Sequence, residues 1–440
     1  MVRFVVFGLG MVGRSFLRLA HEAALVDPEA WFALEKSESF RSIFIKYGGK
    51  KENFILSEVT QENFSSVFSF LEEGDYLLDF SSFQGNTDLL DFCMDRGIHY
   101  LSTCSLPLEI NNAKIPDHHD FLIYKELKKK QPLNMATSII EFGMNPGMVS
   151  CFMKQGLKAI VREDDTPYVV EHRSELQELI DQNQYARAAQ MLEVSVVHVS
   201  DIDTSQVNFE IKPKTVYSTW NLEAFCDEST TFSEISLGTD VPVELFNGRI
   251  KEHDANDGYI RLQSSAAVTT EQSYSPWGSF LGYIVPHEEI YTIADFLSVR
   301  NEGKLVYKPS VFFIYRPCDV AVQSLLDGYK NDFKDYQEHL ISLNEIISGG
   351  EAVGIVLDGN NFKTRYFGNK MEYPTREDTP TILQVSSSAF AAFIYMLNHK
   401  NEGFLFPEEL NDEKVLEYAK PYLKEYVTFT CPPLKKLFKS

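Results

Sequence analysis

Phe4-Val5-Val6-Phe7-Gly8-Leu9-Gly10-Met11-Val12-Gly13 decides the fold of this 440-residue chain. A short apolar β-run feeds directly into Gly8-x-Gly10-x-x-Gly13, and the residues from Arg14 to Glu22 read as the opening of a helix. That strand–turn–helix setting is what a dinucleotide fingerprint requires; the same spacing elsewhere says little. The first glycine makes the tight turn, the second lets backbone approach a pyrophosphate, and the third lets helix pack on strand. Met11 and Val12, between the last two glycines, are candidate cofactor contacts, and the N-terminus of the following helix offers N–H groups to the phosphates. A second strand, Trp31-Phe32-Ala33-Leu34, ends in Glu35, 22 residues beyond Gly13. An acidic residue there bonds the adenosine ribose hydroxyls and disfavours a 2′-phosphate, which predicts NAD rather than NADP.

Outward from this turn the chain alternates strands and helices to about residue 143. Tyr76–Phe80 and His99–Thr103 read as strands, with a helix from Asn86 to Arg96 between them that Gly97 ends. This rhythm implies an α/β fold with a Rossmann-type, doubly wound parallel sheet. Ligands sit at the carboxyl ends of such strands, so Ser81, Ser82 and Thr103 are candidates to line the nicotinamide side. Met144-Asn145-Pro146-Gly147-Met148 breaks the pattern before a helix from Val149 to Val161. The expected division is an NAD-binding domain over 1–145, an α+β substrate domain over 146–312, and a C-terminal segment over 313–440. Val194–Val199, Gly258–Leu262 and Gly282–Val285 predict a mainly antiparallel sheet in the substrate domain. Asp319–Tyr329 is expected to be a helix returning to the first domain, and Ser386–Leu397 an apolar helix.

Composition narrows the function classes. Hydrophobic residues make up 44% and the mean hydropathy is −0.19, an ordinary globular balance. No apolar run approaches the length of a membrane span, and the N-terminal apolar run belongs to the first strand rather than to a signal peptide. Six scattered cysteines without a CxxC pair read as reduced, mostly buried thiols of a cytoplasmic protein. A net charge of −22 argues against a nucleic-acid partner and favours small cations. No GxSxG, HExxH or P-loop sequence is present, no metal site is expected, and His118-His119-Asp120 reads as a surface loop.

Three stretches of the second half are too unusual for simple core. They are Ser218-Thr219-Trp220-Asn221, followed by Glu228 and Glu234; Trp277 to Glu289, ending in His287-Glu288-Glu289; and Asn145-Pro146-Gly147. An aromatic face with several carboxylates suits a substrate with cationic nitrogens, because Trp is the best cation–π platform and Glu stabilises ammonium or relays protons. His287 and Glu289, two apart, would face the same side of a strand.

In this order the stretches resemble the bacterial homospermidine synthases, a group related to the saccharopine dehydrogenase-like proteins. The resemblance runs from the glycine turn and Glu35 through Cys93-x-x-x-Gly97-x-x-Tyr100, Asn145-Pro-Gly-Met-Val-Ser150 and Thr219-Trp220. It continues through His287-x-Glu289-x-x-x-Ile293-Ala294-Asp295 and Tyr315-x-Pro317-x-Asp319-Val320-Ala321 to Glu351–Leu357 and Leu383–Ser386. It implies a bound NAD that oxidises one putrescine; ammonia leaves, a second putrescine condenses, and the Schiff base is reduced to homospermidine. Spermidine as an alternative donor and a homodimer are implied in the same way. By position, Trp220 is the platform for the reacting amine and Glu228 an anchor or acid/base beside it. His287 and Glu289 bind and deprotonate amine, and Asn145 orders substrate. Asp201 takes the acidic role of a family element that departs here as Ser200–Thr204, and Glu351 that of a tunnel acid. A second family element, with Trp and His, appears as Ser236-Leu237-Gly238-Thr239-Asp240, which leaves substrate range open.

Two other readings compete. A carboxynorspermidine or saccharopine-type reductive-condensation dehydrogenase would want clustered arginines for amino-acid carboxylates, whereas Arg249 and Arg261 stand isolated. A non-catalytic NAD-binding regulator would tolerate loss of Trp220, Glu228 and His287, and all three are present.

Overall fold

The computed structural model describes residues 2–105, 119–130, 136–331, 333–375, 377–423 and 426–434. They fall into two compact units: Met1–Met148 with Ile382–Leu423, and Val149–Thr381 with the strand Tyr426–Thr430.

In the first unit β1 (Phe4–Phe7), buried throughout, is followed by α1 (Met11–Ala23). β2 (Trp31–Glu35), β3 (Phe54–Leu56), β4 (Tyr76–Asp79), β5 (His99–Ser102) and β6 (Thr137–Ile139) complete the predicted alternation. The sheet has seven strands in the order Gly403–Leu405, β6, β5, β4, β1, β2, β3, and every pair is parallel. Strand order reverses at β1, which puts the switch point beside the glycine turn. One face is packed by Val5, Leu77, Leu90 and Tyr100 in a single apolar cluster. Each such fully buried side chain contributes roughly 1.5–3 kcal/mol of transfer free energy.

The helix Pro380–Asn398 has a mean hydropathy of 1.3 and the length to cross a bilayer, so the chain does hold one long apolar stretch. It is a core helix of the first unit, with its most apolar window 72% buried. Phe393 lies 5.8 Å from Phe4 and 5.9 Å from Trp31, and Phe390 lies 5.6 Å from Phe16.

The second unit is built on a ten-stranded mixed sheet. Its spine is β7 (Val194–Asp203), flanked by Ser310–Arg316 in parallel and by Gly350–Gly359 antiparallel. All other pairs in this sheet are antiparallel, including the hairpin Thr270–Ser275/Gly278–Val285 that docks on Ser310–Arg316.

Two expectations change. The helix Asp319–Lys330 does not return to the first unit: it packs on the strand Thr215–Ser218 of the second, because Ser310–Arg316 before it lies inside the second sheet. The chain rejoins the first unit only at Ile382. His119 and Asp120 are buried, each 8% exposed, because they open the helix Asp120–Leu127, whose Phe121, Ile123, Tyr124 and Leu127 face the core. His118 lies outside the described residues. All six cysteines are free, three buried and three half-buried.

Candidate functional site

The glycine turn behaves as its spacing predicts. Gly8 has φ +85°, and a Cβ there would lie 2.8 Å from the Cα of Ser81. A Cβ on Gly13 would lie 2.0 Å from the carbonyl oxygen of Gly8, so helix and strand touch without room for a side chain. Gly10 is exposed, with open space above it, and no side chain caps α1. The first N–H groups of α1 at Met11, Val12 and Gly13 are the donors an anion needs, and the helix dipole adds to them.

Glu35, 7% exposed, is locked beside this turn. One oxygen accepts from the amide of Leu9 at 2.7 Å, the other from the amides of Lys36 at 2.9 Å and Ser37 at 3.2 Å. A carboxylate held this way accepts a hydroxyl and repels a phosphate. Ser81, Ser82 and Thr103 follow the carboxyl ends of β4 and β5, with Ser82 exposed and the others half-buried. Asn145, half-buried, also belongs to the first unit.

The second unit gathers most of the remaining candidates along one row. Trp220 donates its indole N–H to the hydroxyl of Tyr315 at 3.1 Å. Tyr315 stacks on Phe313 with ring centres 5.9 Å apart, and Phe313 lies 4.6 Å from the ring of His287. Nδ1 of His287 pairs closely with Glu289 and lies 3.6 Å from Glu288. His287 and Glu289 meet for a different reason from the one expected. The strand ends at Val285, and Glu289 opens the helix Glu289–Phe296, so a helical turn brings the side chains together.

Glu289 is fully buried, and its second oxygen, Oε1, has no hydrogen-bond partner. Burial pushes His287 down, but the charges of Glu289, Glu288 and Glu228 and the hydrogen bond to Glu289 outweigh it and hold the imidazole well above its ordinary range. Glu228, on the helix Leu222–Thr230, thereby joins the row. The donor atoms of His287, Glu288 and Glu289 all lie within 4.8 Å of one another, a spacing that suits a small cation.

At the other end of the row three carboxylates share one face of the sheet. Asp201 and Asp203 are two apart on β7, and Glu351 stands directly opposite Asp203 on Gly350–Gly359. Tyr315 is the register partner of Asp201 on the other side. All four are at least 93% buried. Burial and the charges of Asp201 and Asp203 push Glu351 well up, and burial raises Asp203. Asp203 accepts from the amide of Ser205 at 2.7 Å and the hydroxyl of Thr219 at 2.8 Å, which ties it to the residue before Trp220. Like charges facing across a sheet destabilise it, so this face holds a shared proton or a cation far more readily than three free negative charges.

Glu234 does not join the row. It is fully buried, paired with Arg261 at 3.5 Å, and bonded to the hydroxyls of Tyr259 at 3.2 Å and Tyr291. Leu237 packs into an apolar cluster and Asp240 is exposed, so neither departure from the family pattern lies in the row. The sequence alone assigns no role to Tyr315, Phe313, Asp203 or Glu288. Their signal is alternation: Phe313/Tyr315 and Asp201/Asp203 are same-face pairs, visible only once the strands are placed.

Residues 4–136 match the family described as the saccharopine dehydrogenase NADP binding domain. Over nearly the whole chain the sequence is 27% identical to the homospermidine synthases of Blastochloris viridis and Mesorhizobium japonicum. The matches cover 95% and 97% of this chain and 89% and 90% of theirs. The crystal structure of a Legionella pneumophila homospermidine synthase in complex with NAD superposes with a TM-score of 0.81. It is 26% identical, and the match covers 98% of this chain and 91% of that one. Yeast saccharopine dehydrogenase, 9% identical with a TM-score of 0.55 and covering 98% and 100%, shares the fold.

Proposed function

We propose that this chain, which is similar over nearly its whole length to homospermidine synthases, joins two diamines, putrescine by preference, into homospermidine. The observation that carries this reading is the row in the second unit. Carboxylates stand at both ends of it, and the aromatic rings of Trp220, Tyr315 and Phe313 lie between, a pattern made for a flexible chain with an ammonium at each end.

The residues of the first unit fit NAD. The open backbone at Gly10 and the uncapped start of α1 would hold the pyrophosphate, and Glu35 the adenosine ribose. Although the matching family is described by NADP, a carboxylate at Glu35 repels a 2′-phosphate. NAD held there would supply the hydride acceptor for oxidation of the first diamine and, once reduced, the hydride donor for the new C=N bond.

The protein's own work is largely proton management. The diamine arrives with both nitrogens charged, and hydride leaves only a neutral amine, so one proton must go first. His287 starts as imidazolium because its carboxylate neighbours outweigh burial. An ammonium entering among Glu228, Glu288 and Glu289 adds a like charge beside that imidazolium and drives its pKa down. Binding thus sends the imidazolium proton to solvent through the partly exposed ring and leaves a neutral base, which takes the proton of the amine. Reprotonated, the same ring hands a proton to the departing ammonia after the second diamine attacks the imine carbon. Trp220 offers its face to the cationic carbon–nitrogen bond, Tyr315 fixes the indole plane, and Asp201, Asp203 and Glu351 hold the far ammonium.

The amino-acid-condensing alternative needs cations for a substrate carboxylate. Arg261 is engaged by Glu234, Arg316 pairs with Asp319 at 2.9 Å, and Arg249 lies exposed over Phe246. That disposition favours the diamine.

Incubation of the protein with putrescine and catalytic NAD, followed by mass spectrometry, tests the proposal. Homospermidine and ammonia at many turnovers per NAD, abolished by Trp220→Ala, is the expected result. Accumulation of NADH without a triamine would refute it.

A further inference from the structure

Asp79 ends β4, beside β1 at the switch point, and is 2% exposed. One oxygen accepts from the amide of Ser81 at 3.0 Å and its hydroxyl at 2.7 Å; the other accepts from the hydroxyl of Tyr100 at 2.8 Å. The oxygen of Ser81 in turn accepts from the amide of Phe83 at 3.2 Å. The turn held this way lies against the glycine turn. A Cβ on Gly8 would stand 2.8 Å from Cα and 2.9 Å from N of Ser81, and one on Gly13 would stand 3.4 Å from Cβ of Phe80. Backbone meets backbone with no side chain to absorb a shift, so displacing Phe80–Ser82 displaces the phosphate-binding loop.

We propose that Asp79 is a positioning residue for the cofactor: its negative carboxylate clamps Phe80-Ser81-Ser82 against the glycine turn, and cofactor affinity depends on that charge. The inference rests on the NAD reading above. The charge is sensitive to mild acid. Burial pushes Asp79 up to about 6, against the downward pull of the Ser81 hydroxyl and amide and the Tyr100 hydroxyl. Two titratable groups face it: Tyr100 from β5 and Cys93 from the helix Asn86–Met94. Both are raised, by burial first and then by the Asp79 charge, so they stay neutral where Asp79 titrates. Cys104 acts on Tyr100 and Arg96 on Cys93, while β1 contributes only Phe7 opposite. Once protonated, Asp79 must donate its proton as well as accept, and a cluster arranged as three donors around it loses its fit.

Isothermal titration of the full-length protein with NAD between pH 5 and pH 8 tests this. In the wild type the affinity is level above pH 7 and falls about tenfold by pH 5, the linkage expected of one group titrating near 6. Asp79→Asn binds NAD about tenfold more weakly at pH 7.5, with no further loss on acidification. Tyr100→Phe removes a hydrogen bond that stabilises the carboxylate, so the midpoint of the affinity loss moves to higher pH. A merely structural role would not move that midpoint, and it carries the test should Asp79→Asn fail to fold. Wild-type affinity in Asp79→Asn, or an unmoved midpoint in Tyr100→Phe, would overturn the proposal while leaving the NAD reading intact. No binding of NAD by the wild type at any pH would overturn both.

Discussion

Replacing Glu289 by Gln keeps the shape of the site and removes one charge from the pair with His287. In the folded protein this pair is buried, with side-chain exposures of 13% for His287 and 0% for Glu289. Breaking one partner of such a pair costs about 3–5 kcal/mol. Glu288 and Glu228 still face the imidazole, so the loss falls at or below the lower end, about 2–3 kcal/mol. If the same interaction acts on the substrate ammonium, kcat/KM for putrescine falls roughly 30- to 150-fold. The stability effect depends on pH with a definite sign. A histidine raised in the folded state contributes stability that is complete below its unfolded pKa of about 6.5 and is lost as pH rises through the folded value. The melting-temperature gap between wild type and Glu289→Gln should therefore be widest near pH 6 and close as His287 deprotonates in the wild type. Nitrogen chemical shifts of the His287 ring, followed from pH 5 to pH 10, should show its midpoint dropping toward 6.5 in the variant. The same ring midpoint in both proteins, or a melting gap constant across that range, would show that Glu289 is not what holds His287 protonated.

Three further substitutions separate binding from folding. Glu351→Gln should melt higher than wild type at pH 8 and equally at pH 4.5. A carboxylate raised in the fold lowers stability as pH climbs above its unfolded value, and the amide escapes that cost. The same variant should raise KM for putrescine about tenfold, the loss of one charge-assisted contact. Tyr315→Phe removes the acceptor of the Trp220 indole, worth about 1 kcal/mol, and should raise KM about fivefold with little loss of melting temperature. Glu234→Gln leaves Arg261 buried without its charge partner and should destabilise by about 3–5 kcal/mol in denaturant titration, with KM for putrescine unchanged in the folded fraction.

The first unit was legible because its determinants are local. Gly8 and Gly13 make the tight turn and the close helix–strand approach that their spacing predicts, and Glu35 accepts from the amide of Leu9 between them. Asp79 carries no local signal of its own, because inside the strand Tyr76–Phe80 it belongs to no recognisable motif. Its partner Tyr100 is 21 residues away, joined through a strand register that no local pattern records. The helix Asp319–Lys330 is legible in the sequence as a helix, and the unit it packs on is not. Periodicity reports which face of a helix is apolar and is silent about which sheet will cover it.

The carboxylates of the second unit were half legible, and the missing half is one of pairing. Glu234 and Glu351 each sit within a strand, each is fully or nearly fully buried, and neither neighbourhood in sequence tells them apart. Across the sheet they differ completely. Opposite Glu234 stands Arg261; opposite Glu351 stands Asp203, with Asp201 on the same face. The first pair neutralises its charge within the fold, and Glu234 accepts further hydrogen bonds from Tyr259 and Tyr291, so no cation is needed from a substrate. The second accumulates negative charge in a desolvated place, where a proton or a cation lowers the free energy at once. A buried acid becomes a ligand site or a strut according to the residue registered across from it. In this chain that partner is 27 positions away for Glu234 and 148 for Glu351, which is why the distinction needed the fold.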